Sequence, residues 1–300
     1  MGVLLPHGDI DPASRSHLAI LATELAGLGW VDGRNLRIEV HSTGGDLGRL
    51  PPVARDIVES RPDVILVRST PASVALARQT RAIPIVFVVV SDPIGDGLVA
   101  GMARPGGNVT GFTNVEASLC GKWLELLREI VPGVARIAVM YGPSGGPGGG
   151  TFYLRLAHEA PSSIGVTIVP VPIWRAEEIG RGLDNVETGR AEALLVLPDA
   201  TTTTLRATIF AEAARRKLPA VYAFGYFATE GGLASYGTEV DDQFRGAARY
   251  VHRILRGAKP GDLPVQAPVK FNLAINLRTA KALGLAISRS IVDRADEVIE

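Results

Sequence analysis

RPDVILVRSTPASVALARQTRAIPIVFV (61–88) and RAEALLVLPDATTTTLRATIFAEAARRKLPAVYA (190–223) follow one plan. Each pairs a basic residue with an acid, runs into an apolar strand ending in Val, and turns through small polar residues into a helix. Each finishes on a short strand led by proline, Pro84 or Pro219. One βαβ unit is a common motif, but a near-copy in the other half of the chain predicts two similar α/β lobes. Function is then expected in the cleft between them, where strand carboxyl ends gather.

Reading outward from the repeat, helix and strand patterns alternate almost throughout. Met1–Leu5 reads as a first strand, and Leu18, Leu21, Ala22, Leu25 and Leu28 recur at helical spacing until Gly29. Leu36–Val40 reads as strand, and Asp46 as the cap of a helix carrying Leu50, Val53, Ala54, Ile57 and Val58. The run Ile85–Val90 is continuously apolar, as strands of parallel sheets covered on both faces are. After GNVTGFTN (107–114) the pattern restarts: helix over Leu119–Val131, strand Arg136–Tyr141, helix near Phe152–Ala160, strand Val166–Val171, and a helix marked by Ile179, Leu183 and Val186. Strand Leu194–Leu197, a helix around Leu205–Arg215 and strand Ala220–Tyr222 complete the second set. GGLASYG (231–237) is extended. A long amphipathic helix carries Phe244, Ala247, Ala248, Val251, Ile254 and Leu255. After a Pro-rich link come strand Lys270–Ile275 and a helix capped by Asn276 and closed by Gly284.

This order predicts an α/β chain of two Rossmann-like lobes with parallel sheets. One lobe takes residues 1–112 plus 238–268 and the other 113–237 plus 269–300. The chain would then cross between lobes near 108–115, 231–238 and 264–272, and three crossings together make a hinge.

Composition narrows the function classes. Three hundred residues suit two domains of ordinary size, and 46% hydrophobic residues suit a well-buried protein. With 31 basic and 31 acidic residues and no basic run, nucleic acid and anionic membranes are not expected partners. Cys120, the only cysteine, excludes an internal disulfide and a thiolate-rich metal site, and reads as a buried thiol. No apolar run approaches the ~20 residues a membrane span needs. MGVLLPHGD has neither the basic leader nor the apolar length of a signal peptide, so the chain reads as a mature or shortened form.

Candidate binding residues sit at strand ends. In Arg68-Ser69-Thr70-Pro71, Thr70 suits an N-cap and Pro71 a first helical position. Free amides there, with the Ser69 and Thr70 hydroxyls, suit a carboxylate; the alternative is that both hydroxyls only cap the helix. Asp199, in the matching turn of the second repeat, is either a partner for a ligand ammonium or hydroxyl or itself the cap. Ser91 and Asp92 follow strand 85–90, with a plain turn as the alternative. Phe224, Tyr226 and Tyr236 cluster late in the chain, with Tyr141 at the end of its own strand. Such rings can shape a pocket for a flat or apolar group.

The loop GPSGGPGGG (142–150) lacks the Lys of a phosphate-binding loop and reads as a flexible surface loop. The five histidines show no metal spacing, and no G-x-S-x-G elbow is present. No catalytic residue, metal or cofactor is expected. The residues alone leave open a solute receptor, the ligand core of a cytoplasmic regulator, or an α/β enzyme.

Several longer segments carry a family resemblance. LGWVDGRNLRIE (28–39), residues 61–80, IPIVFVVVSDPIGDGLVAGMARPGGNVTGFTN (83–114), GGLASYG (231–237) and KFNLAINLRTAKALGL (270–285) resemble bacterial ABC-transporter substrate-binding proteins of the tryptophan-binding-like group. The resemblance covers nearly the whole chain. It implies a type 1 periplasmic binding-protein fold with a three-segment hinge and a small ligand, such as an aromatic amino acid, in the cleft. It implies a monomer, periplasmic or lipid-anchored after export, that serves an ABC permease. The Gly-rich loop stands where that family is expected to have a shorter Asn/Pro turn.

Overall fold

Ile65–Arg68, the strand at the head of the first repeat, lies inside a five-stranded parallel sheet. The computed structural model describes residues 1–6, 11–116, 118–143, 149–160, 164–188 and 191–300. These fall into two compact units. The first comprises Met1–Val115 and Val240–Pro268, and the second includes Gly149–Glu239, Val269–Glu300 and the segment beginning at Glu116. The chain therefore passes between units after Val115, Glu239 and Pro268. The centre of the Gly-rich loop, 144–148, lies outside the described residues.

The first unit runs β1 (Gly2–Leu4), α1 (Pro12–Gly27), β2 (Glu39–His41), α2 (Leu50–Glu59), β3 (Ile65–Arg68), α3 (Thr70–Gln79), β4 (Ile85–Val90) and β5 (Val109–Thr113). Strand order is β2-β1-β3-β4-β5, with Gly2 beside both Glu39 and Ile65, and Ile65 beside Ile85. β1, β3 and β4 are legible as apolar runs, β2 falls at Glu39–His41 rather than the expected Leu36–Val40, and β5 lies in what reads as a crossing. Its Gly111 has φ 155°, and a Cβ there would meet the Phe87 carbonyl at 2.1 Å. Only glycine lets the two strands approach so closely. Asp46 caps a 3-10 turn, Leu47–Arg49, that leads into α2.

In the second unit come α4 (Leu119–Ile130), β6 (Arg136–Tyr141), α5 (Gly150–Glu159), β7 (Thr167–Pro172), α6 (Ala176–Thr188) and β8 (Ala193–Val196). They are followed by α7 (Ala200–Thr204), α8 (Arg206–Arg215), β9 (Ala220–Tyr222), α9 (Gly225–Thr229) and β10 (Ala234–Thr238). α10 (Val240–Leu255) returns to the first unit. β11 (Phe271–Asn276), α11 (Leu277–Leu283), α12 (Arg289–Arg294) and β12 (Glu297–Ile299) finish the second. Its sheet order is β12-β11-β10-β9-β8-β6-β7. From β7 to β10 this repeats the order of the first unit; β11 then adds antiparallel to β10.

Helix ends follow local chemistry. Asn276 Oδ1 accepts from the Thr279 amide at 3.0 Å, and Gly284 closes α11 at φ 73°, both as the sequence predicts. α10 buries Phe244, Ala247, Ala248 and Val251, and packs on α1, β4 and β5. Its Gly246 leaves room for Phe112, whose ring meets Tyr250 at 4.9 Å. In the second unit Trp123 of α4 is fully buried and its indole N–H donates to the Tyr236 carbonyl.

Candidate functional site

In a sheet of order 2-1-3-4-5, the turns after strands 1 and 3 diverge to opposite faces and leave a crevice at their carboxyl ends. In the first unit that position belongs to the end of β3. Ser69 follows it with φ 87° and ψ 150°, a region nearly restricted to glycine. The structure moves the helix start by one residue from the sequence reading. Ser69, not Thr70, is the N-cap position, and neither hydroxyl makes a side-chain cap bond. The Ser69 carbonyl instead accepts from the Ser73 amide at 3.1 Å and the Ser73 hydroxyl at 2.7 Å. Ser69 Oγ is shielded from solvent with no hydrogen-bond partner among the described residues. The first α3 amides have no intrahelical acceptor by helix geometry, so an acceptor-rich group suits this turn.

Ser91 reaches the same place from β4. Its amide donates to Thr70 Oγ1 at 3.3 Å, and its hydroxyl donates to Asn114 Oδ1 at 3.4 Å. Thr70, Ser91 and Asn114 are all buried. Thr70 Oγ accepts in this bond, so its own proton is available to donate. Asp92 goes elsewhere: its Oδ1 accepts from the Gly95 amide at 2.8 Å and its carbonyl from the Asp96 amide at 2.9 Å, which is a turn. Ser69, Thr70 and Ser91 thus come together, and Asp92 is spent on the loop.

Asn114 escaped the sequence reading although it ends the quoted GNVTGFTN segment. So did Gln243 of α10, whose Oε1 accepts from the Val89 amide at 2.9 Å. A lone Gln on an amphipathic helix gives no sequence signal. Arg68, first residue of the Arg68-Ser69-Thr70-Pro71 motif, is the last residue of β3 and is buried.

The equivalent crevice of the second unit lies between β6 and β8. Asp199 occupies it as the cap of α7: Oδ1 accepts from the Thr202 amide at 2.9 Å, and Thr202 Oγ1 accepts from the Asp199 amide at 3.2 Å. Oδ2 accepts from the Gly142 amide at 2.8 Å, which ties the β6 turn to the β8 turn. Burial pushes this carboxyl up to about 6, against the pull of the Gly142, Thr202 and Thr201 bonds. A Cβ on Gly142 or Gly150 would come within 2.7 or 2.8 Å of the carboxylate, so both glycines make room for it. The geometry gives Asp199 the capping role that the sequence left as one of two readings. Tyr141 ends β6 beside it, buried.

Phe224 and Tyr226 belong to the cap and first turn of α9. Their rings stack at 5.6 Å and 7°, and both meet Phe227. The Arg206 guanidinium lies 5.9 Å from the Tyr226 centroid and pairs with Glu230. Tyr236 does not join them. Alternation along β10 turns it toward α4, where its ring stacks on Phe271 at 6.0 Å and its hydroxyl accepts from Lys122 Nζ at 3.4 Å. There it lines a cavity of about 390 Å³ with Leu126, Leu273 and Arg294.

Among the described residues no group of His, Cys, Asp and Glu is arranged to hold a metal. Cys120 is buried, and burial pushes its thiol up to about 12, far from a reactive thiolate.

Two mainly parallel α/β units with one strand order have the architecture of the type 1 periplasmic binding-protein fold. A family model described as ABC transporter substrate binding protein matches residues 12–299, and the chain belongs to that family. The tyrosine-binding protein of Clostridioides difficile (strain R20291) is 26% identical over 282 residues, covering 94% of this chain and 79% of that one. A conserved domain protein from Vibrio cholerae is 28% identical with a TM-score of 0.90, over 99% of this chain and 98% of that one. The ABC domain from Streptococcus pneumonia in complex with L-Trp is 26% identical, with the same TM-score and coverage. The protein is accordingly the solute-binding component of an ABC import system. It works outside the cytoplasm on a small-molecule ligand, with a membrane transporter as partner. The regulator and enzyme alternatives are not the ones the family supports.

Proposed function

We propose that the solute is an amino acid with an aromatic side chain, bound without chemical change. The observation that carries this reading is Ser69: a strained residue whose shielded hydroxyl has no partner among the described residues, at the open amides of α3. Strain of this kind collects at ligand clamps. The Ser69 and Thr70 hydroxyls with the α3 amides take the carboxylate, and Ser91 supports them through Thr70. In the second unit, Phe224 and Tyr226 are assigned to the side chain of the solute, with Tyr141 beside them. Relatives named for tyrosine and for bound L-Trp support this class. Asp92, Asp199 and Tyr236, candidates from the sequence, receive no ligand contact in this reading. The protein acts as a monomer, free in the periplasm or lipid-anchored.

Titration calorimetry with L-tyrosine, L-tryptophan, tyramine and tryptamine tests it. The amino acids bind in the micromolar range, about −8 kcal/mol, and the amines lacking the carboxylate bind at least about a hundredfold more weakly. Equal affinity for amino acid and amine overturns the carboxylate assignment.

A further inference from the structure

We propose that Gln243 is a positioning residue for the solute site, holding the bulge at Val89 that aims Ser91; this rests on the assignment of Ser91 and Thr70 to that site. β4 pairs with β5 in regular register from Ile85↔Val109 to Val88↔Phe112, then jumps to Val90↔Thr113. Val89 is the extra residue, and it has φ 57°. A β-branched side chain in the left-handed region is a true outlier, costing on the order of 1–3 kcal/mol. The bulge has one geometric effect. An added residue reverses which face each following side chain takes. Without it Ser91 would leave the side where its amide meets Thr70 and its hydroxyl meets Asn114.

Something must hold so unfavourable a conformation, and the ladder cannot, because the Val89 N–H has left it. That N–H donates instead to Gln243 Oε1 at 2.9 Å, across 154 residues of chain. Gln243 is buried and the bond half-buried, so loss of its oxygen leaves the Val89 N–H without its protein acceptor. Its place in the chain is equally specific. α10 starts at Val240, where the chain re-enters this unit, and Gln243 falls in the first turn. The side chain that fixes the bulge therefore comes from the residues that follow a connection between the units.

The test compares Gln243→Met, which keeps the volume and loses the acceptor, with Gln243→Glu, which retains an oxygen. Backbone amide exchange is followed by NMR on the full chain without ligand, and titration calorimetry uses L-tyrosine and L-tryptophan. Gln243→Met is expected to speed exchange at Val89 and Ser91 by about tenfold, with β1 and β3 unchanged, and to weaken binding by a similar factor. Gln243→Glu restores both. Unchanged exchange at Val89, or faster exchange spread evenly over β1, β3 and β4, overturns the proposal. Where Met is not tolerated, Gln243→Asn, one methylene too short to reach Val89, carries the same comparison. If the wild-type chain binds neither amino acid, the solute assignment fails alone, and amide exchange still decides whether Gln243 holds the bulge.

Discussion

The Ser91 amide donates to the Thr70 hydroxyl at 3.3 Å, joining the end of β4 to the start of α3. Both residues are buried, so the bond is not replaced by water when it is lost. Thr70→Val preserves the shape and removes the acceptor. The expected result is a stability loss of about 1–3 kcal/mol, together with loss of the thermal stabilisation given by L-tyrosine or L-tryptophan. Thr70→Ser keeps both. Differential scanning calorimetry reads the two effects, and full ligand stabilisation in Thr70→Val would remove Thr70 from the site.

His17 of α1 lies flat on Phe244 of α10, centroids 4.6 Å apart and planes at 1°. Burial first, and then Arg68, lower its imidazole from the usual 6.5 to about 3; Asp11 pulls the other way. Its Nε2 is 3.5 Å from Asp241 Oδ1. The unfolded chain takes a proton near pH 6.5 that the folded chain refuses, so this group's contribution falls as pH drops from 6.5 toward 3. Burial raises the Asp241 carboxyl, which contributes with the opposite sign. The readout is therefore a comparison between chains. Urea unfolding at pH 7 and pH 5 should show wild type losing about 2 kcal/mol more than His17→Phe. Equal losses would mean that the folded protein protonates His17.

Gly237 tolerates no side chain. A Cβ would sit 1.7 Å from the Ala223 carbonyl oxygen, closer than any non-bonded contact, and backbone cannot swing aside as a side chain can. Gly237→Ala should cost at least about 3 kcal/mol, visible as a drop in the denaturant midpoint. Gly27→Ala, with open space at its Cβ position, serves as control.

The legible part of this fold was local chemistry and repetition. Asn276 and Gly284 bracket α11 because a cap and a left-handed glycine act within one turn, and apolar runs such as Ile85–Val90 mark buried strands. What stayed hidden depends on distant partners. Val89 reads as one more strand residue, and only Gln243, far along the chain, makes it a bulge. Tyr236 groups with Phe224 and Tyr226 in sequence, yet strand alternation puts its ring under α4. The helix expected around Leu205–Arg215 is α8, but the short helix α7 that Asp199 caps just before it reads in sequence only as a polar turn. At the site, Ser69 and Thr70 were visible as a strand-to-helix turn, but the one-residue shift of the cap follows from a backbone angle that Ser rarely adopts.

Because α10 and the strand β11 come late in the chain, neither unit is complete when its first strands are made. β4 waits for α10, about 150 residues later, and β10 waits for Phe271–Asn276. On the ribosome, the first five strands and α1 emerge without the α10 face that packs on them while the whole middle of the protein is translated. The final sixty residues therefore govern when either core can close.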